Sequence, residues 1–414
     1  MNHSMTFTPA KIGHLEIKNR LIRSATYENG ATPHGEVTDG LVNLYRDLGK
    51  GGVGMIVTGI ACVMGKFHSP HRSMRIDEDR FIPGLERISR AVHELGNDCK
   101  IIVQLHLPGR QVLEAEDIPG ILPYFPPAMV TAMLRNGASP APETIPPTDD
   151  PPHTEPVAPS AIRDVLFGRT PRQLALEEIQ EIVDAFAHGI SRAREAGFDG
   201  VQLHAAHGWL LSSFLSPHTN KRMDAYGGST ENRTRIVREI FEKGRKLAGQ
   251  DFPILIKMNT TDFFPDGTNL EEAVRVAKML EETGFSALEI SGGMWETVTR
   301  SKEDLGFAPY MLPEARTGIN RMDQEAYFLP AASAIKKKVK IPIILVGGLK
   351  SPGKIEEVLE SGAVDFVSMS RALIRQPDLP RQWQSGEGSN TADCISCNAC
   401  LPGGESITSC KQIQ

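Results

Sequence analysis

Apolar, β-branched runs recur along the chain, separated by stretches with a different period. The runs are Arg20–Thr26, Met55–Val63, Lys100–Leu107, Gly200–Ala206, Pro253–Thr260, Ala287–Gly293, Ile341–Gly348 and Phe366–Ser370. Each is nearly continuous in apolar character, as parallel strands buried on both faces are. Helical patterns fill the gaps. In Leu174–Gly197 the apolar positions Leu176, Ile179, Ile182, Val183, Phe186 and Ile190 recur at spacings of three and four, and Gly197 offers a C-terminal cap. Eight β–α units predict an α/β fold, a (β/α)8 barrel. An open doubly wound sheet is the alternative. It is weakened because no G-x-G-x-x-G follows an early strand.

Three stretches break the repeat. Phe7–Asn19 reads as a hairpin that plugs the bottom of the barrel. Pro108–Pro171 is long and proline-rich, and leaves the third strand at the face where such barrels carry their active sites. A loop of that length is usually a lid or partly disordered. The third stretch is a cysteine-rich tail. The expected division is a barrel over 1–385 and a tail over 386–414.

Composition narrows the function classes. The 414 residues are 40% hydrophobic and 23% charged, with a net charge of -6. Basic residues are scattered, so no nucleic-acid or membrane-surface partner is expected. The N-terminus lacks an apolar segment of the kind a signal peptide has, so the expectation is cytoplasmic. Homo-oligomerisation is left open. Of the six cysteines, four fall at or after Cys394, which does not look like a secreted disulfide framework.

Polar residues at strand ends are the site candidates in a barrel of this kind. In order they are Thr26 and Tyr27; Cys62; Gln104 and His106; His204 and His207; Lys257 and Asn259; Ser291; Gly347 and Gly348; Ser370 and Arg371. Glycine backbone after strand seven, with a serine and an arginine after strand eight, suits a phosphate. Lys257 lies in an apolar strand and needs a compensating partner, such as a bound anion. Snorkelling to solvent is the bland alternative. His204 and His207 supply too few ligands for zinc. They could donate to a substrate oxygen, or be ordinary core histidines. Cys394, Cys397, Cys400 and Cys410 suit a [4Fe–4S] cluster; zinc, or four free thiols, are the alternatives.

The stretch Phe198–Phe241, "FDGVQLHAAHGWLLSSFLSPHTNKRMDAYGGSTENRTRIVREIF", resembles the signature of the Old Yellow Enzyme family of FMN-dependent NAD(P)H oxidoreductases. "NRLIRSAT", "VQLHLPGR", "PSAI", "ILIKMN", "ILVGG" and "SRALIRQPDLP" follow the order of that family's other motifs over residues 1–385. The tail resembles that of the 2,4-dienoyl-CoA reductase branch. The resemblance implies a barrel holding FMN, with NAD(P)H as hydride donor. A small-molecule alkene, such as an α,β-unsaturated carbonyl or dienoyl compound, would take the hydride at its β-carbon. It implies His204 and His207 on the substrate oxygen, Gln104 on the flavin pyrimidine edge, and Lys257 as the cation near flavin N1 and C2=O. Gly347, Gly348, Ser370 and Arg371 fall at the FMN phosphate, and Ala25, Thr26 and Ala61 against the ring. A flavin-dependent desaturase or dehydrogenase stays open, as does an FMN-binding electron-transfer subunit using the cysteine tail.

Some positions depart from the pattern. Trp209 stands where the family has a proton-donating tyrosine, and an indole N–H is no general acid. Tyr27 stands beside the flavin C4=O region and is a candidate substitute donor; solvent is another. Leu107 occupies a usual histidine position. The second and third tail cysteines are one residue closer than in the reductase branch. The sequence stops four residues after Cys410, so an FAD domain is not expected, and a cluster would need an outside electron donor or be structural.

Overall fold

The computed structural model describes residues 5–67, 72–112, 118–127, 130, 155–310, 312, 314–387, 389–400 and 407–412. Eight parallel strands form a closed barrel: β1 Leu21–Arg23, β2 Met55–Cys62, β3 Lys100–His106, β4 Gly200–Ala205, β5 Ile254–Asn259, β6 Leu288–Ser291, β7 Ile343–Leu345 and β8 Phe366–Met369. Each pairs with its sequence neighbour, and β8 pairs with β1 through Val367 and Leu21 to close the ring. The eight strands coincide with the eight apolar runs. The expected (β/α)8 barrel is the observed fold.

The longest helices pack outside. They include α1 Asp39–Lys50, α2 Ile82–His93, α3 Leu176–Glu195, α4 Thr230–Ala248 and α5 Leu270–Thr283. Outward strand residues such as Val103, Leu203, Ile256 and Ile290 meet Ile179, Phe186, Ile240 and Leu280 in one buried core. The α3 stripe is as read from the sequence except at its start. Leu176 is 45% exposed, because it occupies the first helical position, ahead of the stripe that begins at Ile179. The helix ends as expected. Gly197 takes φ 76, and the Gly197 and Phe198 N–H groups donate to the Arg194 and Ala193 carbonyls. That is the glycine-closed C-terminus in which the two exposed carbonyls are satisfied.

Inward positions change character up the barrel. At the bottom Ile22, Met55, Val57, Ile102, Leu255, Ile344 and Phe366 form a second buried cluster with Ile12, Leu15 and Ile17. These last come from the antiparallel hairpin Ala10–Ile12/Leu15–Ile17, which closes the floor as its sequence predicts. One layer up, the inward residues turn polar. About half of the expected lid, Pro108–Pro171, including the whole of 131–154, lies outside the described residues. Among those described, no helix is long and apolar enough to cross a membrane.

Because Ile102 is fully buried between the hairpin and the barrel interior, Ile102→Ala is expected to lower unfolding stability by about 2–5 kcal/mol. Thermal or denaturant unfolding measures this. A loss below about 1 kcal/mol would mean that the floor is not tightly packed.

Candidate active site

The polar layer begins with Lys257 and Glu289, paired across neighbouring strands in register. The Lys257 Nζ lies 3.4 Å from Glu289 Oε1 and 3.1 Å from Ser24 Oγ. Ser24 and Ser368 each donate a hydroxyl to Glu289 Oε1, at 2.7 and 2.6 Å. Gln202 donates its amide to Glu289 Oε2 at 2.9 Å and accepts one from Gln104 at 2.7 Å. Burial alone would raise the Glu289 carboxyl, but Lys257 and these donors hold it below its ordinary value. The sequence reading expected an anion to compensate Lys257; the chain supplies one itself. Glu289 was missed, although it shares inward parity with Ser291 two positions on.

Above this layer sit the histidines. His207 closes a tight turn after β4, in left-handed backbone at φ 64. Such a conformation in a non-glycine residue needs support from its surroundings. Asn259 provides it: its Oδ1 accepts the His207 N–H at 3.0 Å, while its Nδ2 is given to Asp262 Oδ1 and to the Gly293 carbonyl. Gln111 donates to the His207 carbonyl from the other side. Gly208 follows at φ 82, where an added Cβ would press on Met294 Cβ at 2.7 Å. The strand end thus sets the direction of the His207 ring.

The His204 and His207 rings lie edge to face, with centroids 5.2 Å apart. Trp209 is packed between His106 at 4.7 Å and Trp295 at 5.0 Å, and its ring is 6.2 Å from that of His204. Burial, then His207, His106 and Lys257, holds the His204 imidazole well below its ordinary value. Burial and then Lys257 do the same to His207. Both are therefore neutral at neutral pH, each with one N–H and one bare nitrogen. His204 Nδ1 is buried and meets no hydrogen-bond partner among the described residues. His207 Nε2 is paired with Ser291 Oγ at 2.7 Å, and its Nδ1 faces Glu314 Oε1 at 3.9 Å. Glu314, in the segment between β6 and β7, carries no periodic signal and was not read from the sequence.

The other side of the mouth holds the remaining predicted residues. Gly347 and Gly348 take φ 142 and φ 72, with Tyr327 lying against both. The Gly348 N–H is given to no acceptor among the described residues. Thr26 Oγ1 lies 2.8 Å from Ser370 Oγ. Arg371 donates through Nη1 to the Arg316 carbonyl and to Asn398 Oδ1. Ala61 is buried in β2 beside Leu105 of β3, and Ala25 follows β1. The Tyr27 hydroxyl donates to Asn29 Oδ1 at 2.8 Å, and burial raises its pKa further. Left-handed glycines with a free N–H, an arginine, and a buried unpartnered imidazole nitrogen fit a phosphate-bearing cofactor with polar ring edges.

The tail lies across this same face. Lys350 donates to the Cys394 carbonyl, Asn398 to the Ala315 carbonyl, and Thr408 to the Tyr27 and Glu28 carbonyls. Burial pushes the Cys400 thiol up to about 11; Arg371 pulls it down, while Cys394, Cys397 and Cys410 raise it. The four thiols thus share one electrostatic neighbourhood. No group of three or more ligating side chains closes to metal-binding geometry among the described residues.

Comparison with known proteins identifies the family and agrees with the barrel fold. The sequence profile of the NADH:flavin oxidoreductase / NADH oxidase family matches residues 5–390. The chain is 33% identical to an NADH oxidase of Thermoanaerobacter brockii, over 96% of its own length and 53% of that protein's. It therefore spans about half the length of that relative. Among solved structures, a 2-naphthoyl-CoA reductase bound to 2-naphthoyl-CoA matches with a TM-score of 0.78 at 26% identity, over 99% of this chain and 56% of that one. An Old Yellow Enzyme homologue from Zymomonas mobilis shares the fold, with a TM-score of 0.69 at 23% identity, over 95% of each chain.

The Lys257–Glu289 pair yields a direct test. Glu289→Ala alone leaves a buried ammonium uncompensated and is expected to cost about 3–5 kcal/mol of stability. The double variant Lys257→Met/Glu289→Leu should recover most of that loss in the same unfolding measurement. A double variant no more stable than Glu289→Ala contradicts the pairing.

Proposed function

The chain belongs to the NADH:flavin oxidoreductase / NADH oxidase family, and from that premise we propose that it is an FMN-dependent ene-reductase. The proposed substrate is an alkene conjugated to a carbonyl or acyl thioester. The observation that carries the reading is the pair of buried, neutral imidazoles above an internally compensated lysine. Two neutral N–H donors suit an oxygen on which negative charge grows. The 2-naphthoyl-CoA reductase relative is named for a substrate of the acyl-thioester class.

When bound, FMN supplies the two-electron carrier between NAD(P)H and the β-carbon of the alkene. The residues that would hold it are Gly347, Gly348, Ser370 and Arg371 at the phosphate, Gln104 and Lys257 at the polar ring edge, and Ala25, Thr26 and Ala61 along the ring. His204 and His207 orient the substrate oxygen and stabilise its developing charge. Trp209, Trp295 and His106 form an aromatic wall that keeps water from the reacting carbons. Tyr27 gives its hydroxyl to Asn29, an arrangement that favours a role in shaping the pocket over one in proton delivery.

The same reading assigns Cys394, Cys397, Cys400 and Cys410 to a [4Fe–4S] cluster, which would supply one-electron transfer. The cysteine spacing alone supports it, since no group of three or more ligating side chains comes together among the described residues. Iron and acid-labile sulfide found with anaerobically purified protein would bear this out; zinc in their place would not.

Purified protein is expected to be yellow, or to take up added FMN. NADH or NADPH should bleach it anaerobically, and an enone should restore the colour. His204→Ala or His207→Ala should slow reoxidation by the enone about 10²–10³-fold while leaving bleaching near the wild-type rate. Stopped-flow absorbance separates the two steps. A protein that takes up no FMN sinks the reading.

A further inference from the structure

Cations at and beneath the mouth are engaged in different ways. Lys257 is paired with Glu289 at 3.4 Å, and Arg23 of β1 faces Glu28 at 3.7 Å. Arg316 lies against the rings of Phe307 and Tyr327, 4.1 and 4.4 Å from their centroids. Arg371 is held differently. Among the described residues, its hydrogen bonds leave from Nη1 and end on uncharged oxygens. They are the Arg316 carbonyl at 2.8 Å and Asn398 Oδ1 at 2.6 Å. No carboxylate among those residues forms an ion pair with it.

Asn398 is the less expected of the two holders. It stands in the cysteine motif, between Cys397 and Cys400, and only 1% of it is exposed. Both ends of its amide are used. A guanidinium only donates and a carbonyl only accepts, so its partners fix which way the amide points. Oδ1 accepts from Arg371, and Nδ2 is given to the Ala315 carbonyl at 2.6 Å. The backbone strengthens the same junction, since the Gly318 N–H donates to the Ser396 carbonyl at 3.1 Å. Ser396 and Asn398 both take left-handed backbone, at φ 55 and φ 59. Asparagine is one of the few side-chain-bearing residues that adopt that conformation routinely. The 315–318 loop, the tail and Arg371 therefore meet on one side chain.

We propose that Asn398 is a positioning residue for the cofactor phosphate, aiming Arg371 without neutralising it. The proposal rests on the reading of Gly348, Ser370 and Arg371 as the FMN phosphate site. A phosphate monoester carries about 1.5–2 negative charges near neutrality. A guanidinium attracts it with whatever charge a nearby anion has not already met. A carboxylate at position 398 would accept the same hydrogen bond and cancel most of that attraction. An amide oxygen fixes the direction of Arg371 and leaves its charge in place. Because both described bonds use Nη1, Nη2 and Nε remain for a two-pronged grip on phosphate oxygens. The tail thus enters the flavin site through a neutral side chain.

The test uses the full chain, stripped of bound flavin and dialysed to equilibrium against FMN or riboflavin, which differ only in the phosphate. Asn398→Gly removes the side chain where glycine takes the backbone conformation without strain. It should weaken FMN binding about 10–100-fold and leave riboflavin within about twofold of wild type. Asn398→Asp should also weaken FMN about 10-fold or more, although it keeps an acceptor for Arg371. Arg371→Ala should lose most of the preference for FMN, and adding Asn398→Gly to it should cost nothing further. Wild-type FMN affinity in Asn398→Gly or Asn398→Asp overturns the proposal. So does an equal loss for both flavins, which is the mark of a site merely loosened. If Arg371→Ala loses the FMN preference while Asn398→Gly keeps it, the phosphate site stands and Asn398 has no part in it. A wild type that binds both flavins equally, or neither, overturns the phosphate reading and this proposal with it.

Discussion

The ion pair between Lys257 and Glu289 is the constraint around which this barrel is organised. A lysine inside a closed strand ring has no water to reach, and an isolated charge there is prohibitively costly. Glu289 answers it from the adjacent strand, and the carboxylate then needs donors for its own lone pairs. Ser24, Ser368 and Gln202 provide them, and Gln104 extends the chain to β3. One charge thereby fixes side chains on five of the eight strands and on Ser24, the residue that follows β1. Such pairs seldom add net stability, because desolvation offsets the attraction. What this one provides is position, a rigid polar floor directly beneath the mouth.

That floor also shapes the field above it. Lys257 with Glu289 at 3.4 Å acts on more distant groups as a dipole and not as a free cation. Its pull on an anion at the mouth is weaker than an unpaired lysine would give, and falls off faster. It is still enough to help hold His204 and His207 neutral, with burial doing most of the work. The imidazoles therefore act as hydrogen-bond donors and not as charges. On the proposed reading, a substrate anion at this mouth would be stabilised by oriented N–H groups, with the lysine adding a directional bias.

How much of this the sequence carries depends on whether local pattern or register decides it. Strand positions were legible because burial on both faces leaves continuous apolar runs. The hairpin floor and the Gly197 cap were legible because each uses short-range chemistry. The histidine pair, Gln104, Lys257 and the double glycine all fall at the mouth because strand ends of a parallel barrel meet there. Glu289 was legible only in principle, since "ALEISGG" shows its parity but not that Lys257 lies across from it. Glu314 was not legible. Its segment has no period, and its approach to His207 depends on how Tyr327 and the tail residue Asn398 hold that loop. The direction of the Tyr27 hydroxyl is likewise a tertiary outcome. The tail's part in shaping the mouth could not be read from cysteine spacing, which says nothing of Asn398 or Thr408.

The tail and the missing tyrosine bear on the same mouth. On the proposed reading, the family's tyrosine at the Trp209 position would supply the acid for the substrate. With an indole there, packed against His106 and Trp295, the wall keeps its aromatic packing but carries no acidic hydrogen. A dry site raises the pKa of any carboxyl placed in it. Glu314 lies at the rim, where 17% of its side chain remains exposed. A carboxyl buried in the polar floor would be held ionised by Lys257, as Glu289 is, and one on the open surface would be ionised by water. Asn398 ties the cysteine tail to the backbone beside it, through the Ala315 carbonyl.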